Sequence, residues 1–319
     1  MNTTAIKEKV AQYRLKTQDG RSVPLGIGCA WVGKGESYLD TLDQDLKVMM
    51  ACYERGFRYF DTSRYYGNSE QTVGEMVKRI PRDSIYLATK SPYPRVEGSR
   101  KRNFEVFKSN FYQSFERLQT DHIDLFQIHD TDHYECCVKE VIPFLLERQA
   151  EGLISYIGMG TVSLNAHENA IRSGYVQSSL SYLNYSILKK SAARLIEICR
   201  QYGAAFINAS VFHYGLIRAE DPLAFQTEYN PPHIARNRVT AAAMQALCKQ
   251  LGIPVLAAAL QISLFNPGID MTLIGTGRME NLNSTFESLN TIIHPEHWAA
   301  ITALMEAQPF LYVEDGLYD

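Results

Sequence analysis

Eight short apolar runs alternating with amphipathic helical patterns predict an α/β fold, a (β/α)8 TIM barrel with an N-terminal β-hairpin and an extra C-terminal helix. The alternation persists from about residue 24 to residue 290. No composition break or Ser/Gly-rich linker interrupts it, and a length of 319 residues suits one barrel, so residues 1–319 read as a single domain.

The elements follow in order. RLKTQDGRSVP reads as a hairpin turning at Asp19-Gly20, ahead of the barrel. The eight strands are Leu25–Trp31, Phe57–Asp61, Ile85–Lys90, Ile123–His129, Ile154–Gly160, Val176–Tyr182, Ala205–Ser210 and Met271–Thr276. Between them, Phe104, Phe107, Phe111, Phe115 and Leu118 stripe one helix face, with Asn103 placed as its N-cap. Val138, Val141, Ile142, Leu145 and Leu146 stripe the next, and Gly152 stands where a left-handed C-terminal glycine belongs. Leu195, Ile196 and Cys199 followed by Gly203 repeat that pattern. His213–Arg236 is the longest loop candidate and, after the seventh strand, belongs to the active-site face. A helix over Pro295–Ala307 and an aromatic tail, PFLYVEDGLYD, close the chain.

Composition excludes several classes. Hydrophobic content of 45% with 21% charged residues is ordinary for a packed core. A net charge of −3 gives no electrostatic reason to expect nucleic acid or an anionic membrane as partner. The N-terminal stretch lacks an apolar signal region, and no run approaches the ~18 apolar residues of a membrane span. Six cysteines without CxxC spacing read as reduced thiols, so a cytoplasmic location is expected and no disulfide or structural zinc. Oligomeric state is not legible.

In an α/β barrel the reactive side chains stand at the C-terminal ends of strands, where the βα loops meet. FRYFD ends at Asp61, IYLATK at Lys90 and DLFQIH at His129, and Tyr66 follows Asp61 in the loop DTSRYYGNSE. Singly, each has an ordinary reading: a loop cap, a surface charge, a satisfied core histidine. Together, at three successive strand ends with a loop tyrosine between, they read as a catalytic set. A free tyrosine, with a pKa near ~10, is a poor acid at neutral pH, and an adjacent ammonium stabilises its phenolate. Lys90 would tune Tyr66, Asp61 would hold Lys90, His129 would orient a carbonyl oxygen, and Tyr66 would act as general acid or base.

GFRYFDTSRYYGNSEQTVGEMV, IYLATK and DLFQIH resemble the signature of the aldo-keto reductases, and the similarity extends over about residues 25 to 290. LSYLNYSIL and INASVFHYGLI are most similar to that family's aldose 1-dehydrogenase branch. The resemblance implies hydride transfer between nicotinamide and a carbonyl or alcohol carbon, with Asp61, Tyr66, Lys90 and His129 as the tetrad. It implies a dinucleotide lying extended across the barrel mouth, contacted by Gly160, Thr161, Tyr182, Ser210, Phe212, Gly275, Gly277, Arg278 and Asn281. Departures are visible: Gly160-Thr161 replaces the usual Ser-Asn pair, Tyr182 the usual glutamine, and Ala209 the usual stacking aromatic. Positions often basic in NADP-using members are Gly275 and Asn281 here, leaving Arg278, so NAD or dual NAD/NADP use is expected over strict NADP use.

Trp31, Tyr65, Asp130 and His213 are expected around the substrate, a mixture that suits a small sugar, or an aldehyde, although the aromatics could equally be packing residues. The branch points to oxidation of an aldose at C1 to its lactone. The alternatives are a general NADPH-dependent aldehyde or ketone reductase, a non-catalytic nucleotide-binding redox sensor, and a metallohydrolase using the cluster His129, Asp130, Asp132 and His133. No HxH on the first strand supports the last, and no metal is expected.

Overall fold

The computed structural model describes residues 4–17, 19–93, 100–130, 134–226, 232–309 and 311–313. A two-stranded antiparallel hairpin, β1 (Leu15–Lys16) and β2 (Ser22–Val23), precedes eight parallel strands. These are β3 (Leu25–Gly28), β4 (Tyr59–Asp61), β5 (Tyr86–Pro92), β6 (Ile123–His129), β7 (Ile154–Thr161), β8 (Ser178–Tyr182), β9 (Ala205–Ala209) and β10 (Met271–Gly275). They close in sequence order, β10 pairing with β3. Around them run α1 (Thr4–Gln12), α2 (Leu42–Glu54), α3 (Ser69–Val77), α4 (Arg100–Leu118), α5 (Tyr134–Ala150), α6 (Leu164–Arg172), α7 (Ala193–Tyr202), α8 (Pro232–Gln250), α9 (Val255–Leu264), α10 (Met279–Asn290) and α11 (Pro295–Glu306). The closed eight-stranded parallel barrel with its surrounding helices is the predicted fold.

Successive strand residues face opposite sides. Phe60, Leu87, Phe126, Ile128, Ile157, Phe206 and Ile274 pack outward under the helices with the aromatic stripe of α4. Tyr59, Tyr86, Leu125, Leu180, Ile207 and Leu273 fill the barrel. The large interior residues of β4 to β6 need small neighbours. A Cβ on Gly26 would stand 2.9 Å from Tyr59 Cβ, and one on Gly158 would stand 2.9 Å from Gln127 Cγ. Gly160 makes the same room for Lys90, whose Cδ would lie 2.8 Å from an added Cβ.

Most strand ends fall within two residues of expectation, and three boundaries differ in kind. β3 stops at Gly28, and Cys29–Trp31 forms a 3-10 turn, because both neighbouring ladders end at that residue, against Gly275 and Asp61. Asn103 is a buried interior residue of α4, not its cap, because the helix begins at Arg100. The long loop is shorter: a 3-10 segment, His213–Arg218, occupies its start, and α8 begins at Pro232. Gly152 and Gly203 adopt φ of 81° and 70°, the left-handed conformation expected of them.

α1 was not expected from the sequence. Ile6 and Val10, one turn apart and both fully buried, seal the N-terminal end of the barrel against the Tyr59–Tyr86 layer. Each such burial stabilises by about 1.5–3 kcal/mol. Two apolar residues in a polar helix make too brief a period to read. α8 and α11, with Leu216, Ile217 and Leu311, enclose a separate apolar cluster behind β9. Tyr312 of the tail is exposed, and residues 310 and 314–319 lie outside the described residues.

Among the described residues, Cys29, Cys52, Cys137, Cys199 and Cys248 are buried free thiols, and burial pushes Cys52 and Cys199 up to about 12. No single described helix is long and apolar enough to cross a membrane.

Candidate active site

Parallel register brings the polar strand ends into one layer. Asp61 pairs with Ala88 across β4 and β5, and Lys90 with Gln127 across β5 and β6, so their side chains share the interior face. Lys90 Nζ donates to Asp61 Oδ1 and to the Thr62 carbonyl oxygen, the latter at 2.8 Å. Gln127 Nε2 donates to Asp61 Oδ2 at 2.8 Å. Burial raises the Asp61 pKa, with Lys90 and then Gln127 pulling it back. Burial works against the Lys90 charge, but Asp61 and Tyr66 outweigh it and hold its pKa above the ordinary lysine value. The result is a buried ion pair aimed at the mouth. Gln127 was not singled out in the sequence, although a lone polar residue two before His129 on a period-two strand was its signal.

Tyr66 enters from the loop after β4. Lys90 Nζ lies 4.9 Å from its ring centroid, close enough for its charge to act on the phenol. Burial raises the Tyr66 pKa, and Lys90 only partly opposes this, so the phenol is the resting form at neutral pH. The expected direction of the Lys90 influence is present; burial exceeds it. The Tyr66 ring stands edge-on to His129 at 5.8 Å between centroids.

His129 is neutral: burial, and then the Lys90 charge, drive its pKa well below the usual imidazole value. Asp130 Oδ2 stands 3.2 Å from Nε2, and Ser63 Oγ 2.9 Å from Nδ1. A carboxylate only accepts, so the proton belongs on Nε2, and the Ser63 hydroxyl donates to Nδ1. Ser63 thus orients the histidine, a role the sequence concealed inside the DTS run. Tyr182 Oη donates to Asp130 Oδ1 at 2.9 Å. Tyr65 is 57% exposed, with its ring 5.8 Å from His129, so it lines the mouth.

The remaining candidates separate. Thr161 is buried, and its carbonyl accepts from His167 Nε2 at 2.9 Å. Ser210 adopts φ 60°, turning the chain at the end of β9, and Phe212 packs between two apolar clusters. His213, expected near substrate, is fully buried and bonds Ser186 Oγ through Nε2 at 2.6 Å, on the side of the β9 turn away from solvent. Trp31 is 55% exposed and lies against the end of β10: a Cβ on Gly275 would meet its indole at 2.5 Å, and one on Gly277 would meet its backbone carbonyl oxygen at 2.7 Å. It therefore borders the β10 sector.

That sector suits a dinucleotide. Ala209, Gly275 and Gly28 end three adjacent strands with little or no side chain. Beyond them α10 starts at Met279, and Arg278 at its N-cap position makes no side-chain cap, leaving the first N–H groups for an anion. Arg278 is exposed there, and Arg218 reaches across from the β9 loop, donating to Asn281 Oδ1 at 2.7 Å. Arg218 escaped notice because it is 63 residues distant in sequence from Asn281. No group of three or more described His, Cys, Asp or Glu residues is arranged to hold a metal, and Asp132 and His133 lie outside the described residues.

A profile of the aldo/keto reductase family matches residues 24–306. The chain belongs to that family. As an aldo/keto reductase it is an NAD(P)-dependent oxidoreductase acting on carbonyl and alcohol groups. It is 27% identical to D-threo-aldose 1-dehydrogenase of a Pseudomonas species, over 88% of this chain and 94% of that one. It is 27% identical to L-galactose dehydrogenase of Arabidopsis thaliana, over 92% and 96%. An aldo-keto reductase from Bacillus halodurans, solved in its holo form, superposes with a TM-score of 0.70 at 23% identity, covering 91% of this chain and 95% of that one.

Two arginines beside the start of α10 give this aldo/keto reductase more positive charge than Arg278 alone. Replacing both Arg218 and Arg278 with Gln is expected to weaken NADPH binding about tenfold more than NADH binding, since a 2′-phosphate gains charge-assisted hydrogen bonds that a hydroxyl does not. Titration calorimetry with the two cofactors measures the ratio. An unchanged ratio would remove these arginines from cofactor selection.

Proposed function

We propose that this aldo/keto reductase oxidises an aldose at C1 to its lactone, with Tyr66, Lys90, Asp61 and His129 as the reacting set. The observation that supports it is the layer at the barrel mouth: a phenol beside a buried ammonium, and a neutral imidazole to which that phenol ring stands edge-on. The two aldose-oxidising relatives, similar over nearly their full lengths, support the sugar reading.

Gly160, Thr161, Ser210, Phe212, Gly275, Gly277, Arg278 and Asn281 would hold the dinucleotide, with Trp31 at its edge. When bound, the nicotinamide supplies the hydride acceptor for C1–H. The chain's own residues manage the proton. Tyr66, as phenolate, takes the proton from the C1 hydroxyl as the carbonyl forms, and Lys90 stabilises that phenolate. Asp61 and Gln127 keep Lys90 charged and aimed. His129 Nε2–H, shared between Asp130 and the substrate, donates to the same substrate oxygen, and Ser63 keeps that tautomer in place.

The raised Tyr66 pKa supports the reverse direction at neutral pH as well, because the resting phenol is the acid that carbonyl reduction requires. Both directions are read from absorbance of reduced nicotinamide. NAD and NADP are offered with L-galactose, L-fucose and D-arabinose, and NADH and NADPH with simple aldehydes. Sugar-dependent growth of the signal is the expected result. Decay with aldehydes and silence with every sugar would replace aldose oxidation by general carbonyl reduction. Silence in both would leave a nucleotide-binding sensor.

A further inference from the structure

Tyr182 occupies the last inward position of β8, and its hydroxyl points at Asp130 and not along the β9–β10 sector. Asp130 follows His129 in a left-handed conformation, φ 46°, uncommon for a residue with a side chain. Its N–H donates to the Gly160 carbonyl oxygen at 2.9 Å, which fixes the turn. Its two carboxylate oxygens are then divided: Oδ1 accepts from Tyr182 Oη and Oδ2 stands 3.2 Å from His129 Nε2. The side chain keeps 27% exposure. A strained backbone and a half-buried tyrosine therefore place one carboxylate beside the atom that would hold the substrate oxygen.

We propose that Asp130 is a specificity-determining residue that takes a hydroxyl on the carbon next to the reacting one, and that Tyr182 is a positioning residue that holds Asp130 for this purpose. The inference deepens the aldose reading and rests on it for the natural substrate, but it applies to either direction of reaction. A carboxylate offers about four acceptor sites, so it binds a substrate hydroxyl while keeping Tyr182. The His129–Asp130 spacing matches two oxygens on adjacent carbons: one receives the imidazole N–H and the other gives its proton to the carboxylate. The same charge repels anionic substrates and leaves a simple alkyl aldehyde with nothing to offer. Tyr182, expected from sequence to contact the cofactor, belongs on this reading to substrate recognition.

The test compares glycolaldehyde, which has the neighbouring hydroxyl, with propanal, which lacks it, in the reducing direction. Asp130→Asn is expected to lower kcat/KM for glycolaldehyde about 10- to 100-fold, the cost of losing a hydrogen bond to a charged acceptor, with propanal within about threefold. Tyr182→Phe is expected to raise KM for glycolaldehyde several-fold with little change in kcat or in dinucleotide Kd measured by fluorescence. Equal losses on both aldehydes would overturn the proposal and reduce the pair to support for His129. A rise in dinucleotide Kd in Tyr182→Phe, with the substrate ratio unchanged, would return Tyr182 to the cofactor. An intact glycolaldehyde effect in a protein inactive on every sugar would overturn aldose oxidation and leave this inference standing.

Discussion

Replacing Tyr66 with Phe is expected to lower turnover in both directions by about 10²- to 10⁴-fold, the usual contribution of a positioned acid or base. The hydroxyl is the only atom removed, and the ring remains to pack edge-on to His129. Dinucleotide affinity is therefore expected to hold within about twofold. Stopped-flow turnover beside equilibrium cofactor binding separates the two effects. Full turnover in Tyr66→Phe would assign the proton to another group, and joint loss of turnover and binding would point to collapse of the mouth. The pH dependence follows from the raised Tyr66 pKa. The phenolate fraction grows about tenfold per unit below that value, so the oxidation rate is expected to climb with a slope near one from about pH 7 to 9. Reduction, which uses the phenol, is expected to stay level over that range.

The second large effect is on stability as well as activity. Lys90→Met leaves Asp61 buried with Gln127 but without its counter-ion. Breaking a buried pair from one side costs about 3–5 kcal/mol. The pH sign is set by Asp61. Its folded-state pKa is already raised by burial, so the folded protein holds that proton more firmly than the unfolded chain does. This group's contribution is most favourable below the ordinary carboxylate range and is lost as pH rises through the folded value. Lys90 pulls that value down, so removing Lys90 moves the loss towards neutral pH. The melting-temperature deficit of Lys90→Met relative to wild type is expected to be small near pH 4 and large near pH 8. Lys90 itself, with its pKa raised, stabilises wild type below the ordinary lysine value and loses that contribution above it. Adding Asp61→Asn to Lys90→Met is expected to recover most of the stability and none of the turnover. A deficit independent of pH would trace it to lost packing of the lysine stem against Gly160.

Short apolar runs between helix stripes were enough to place eight strands, because a barrel strand is buried on both faces, one under helices and the other in the barrel. Strand ends were less legible where the ladder, not the local sequence, terminates the strand, as at Gly28. α1 was invisible because its stabilisation comes almost wholly from Ile6 and Val10 meeting residues more than 45 positions away.

Asp61, Tyr66, Lys90 and His129 were readable because a parallel barrel collects strand ends automatically. The partners that tune them were not. Ser63, Gln127 and Arg218 act through hydrogen bonds to residues 66, 66 and 63 positions away, and nothing local distinguishes them. His213 and Trp31 show the converse: one polar and one aromatic residue near strand ends, which only packing could direct into the core or against β10. The barrel and the class of chemistry were legible along the chain, since they follow from repeated patterns and strand-end motifs. The tertiary structure alone decided which way Tyr182 points, that burial outweighs Lys90 at Tyr66, and that Asp130 stands against His129. Those outcomes depend on desolvation and on distances across the barrel, which no local pattern encodes.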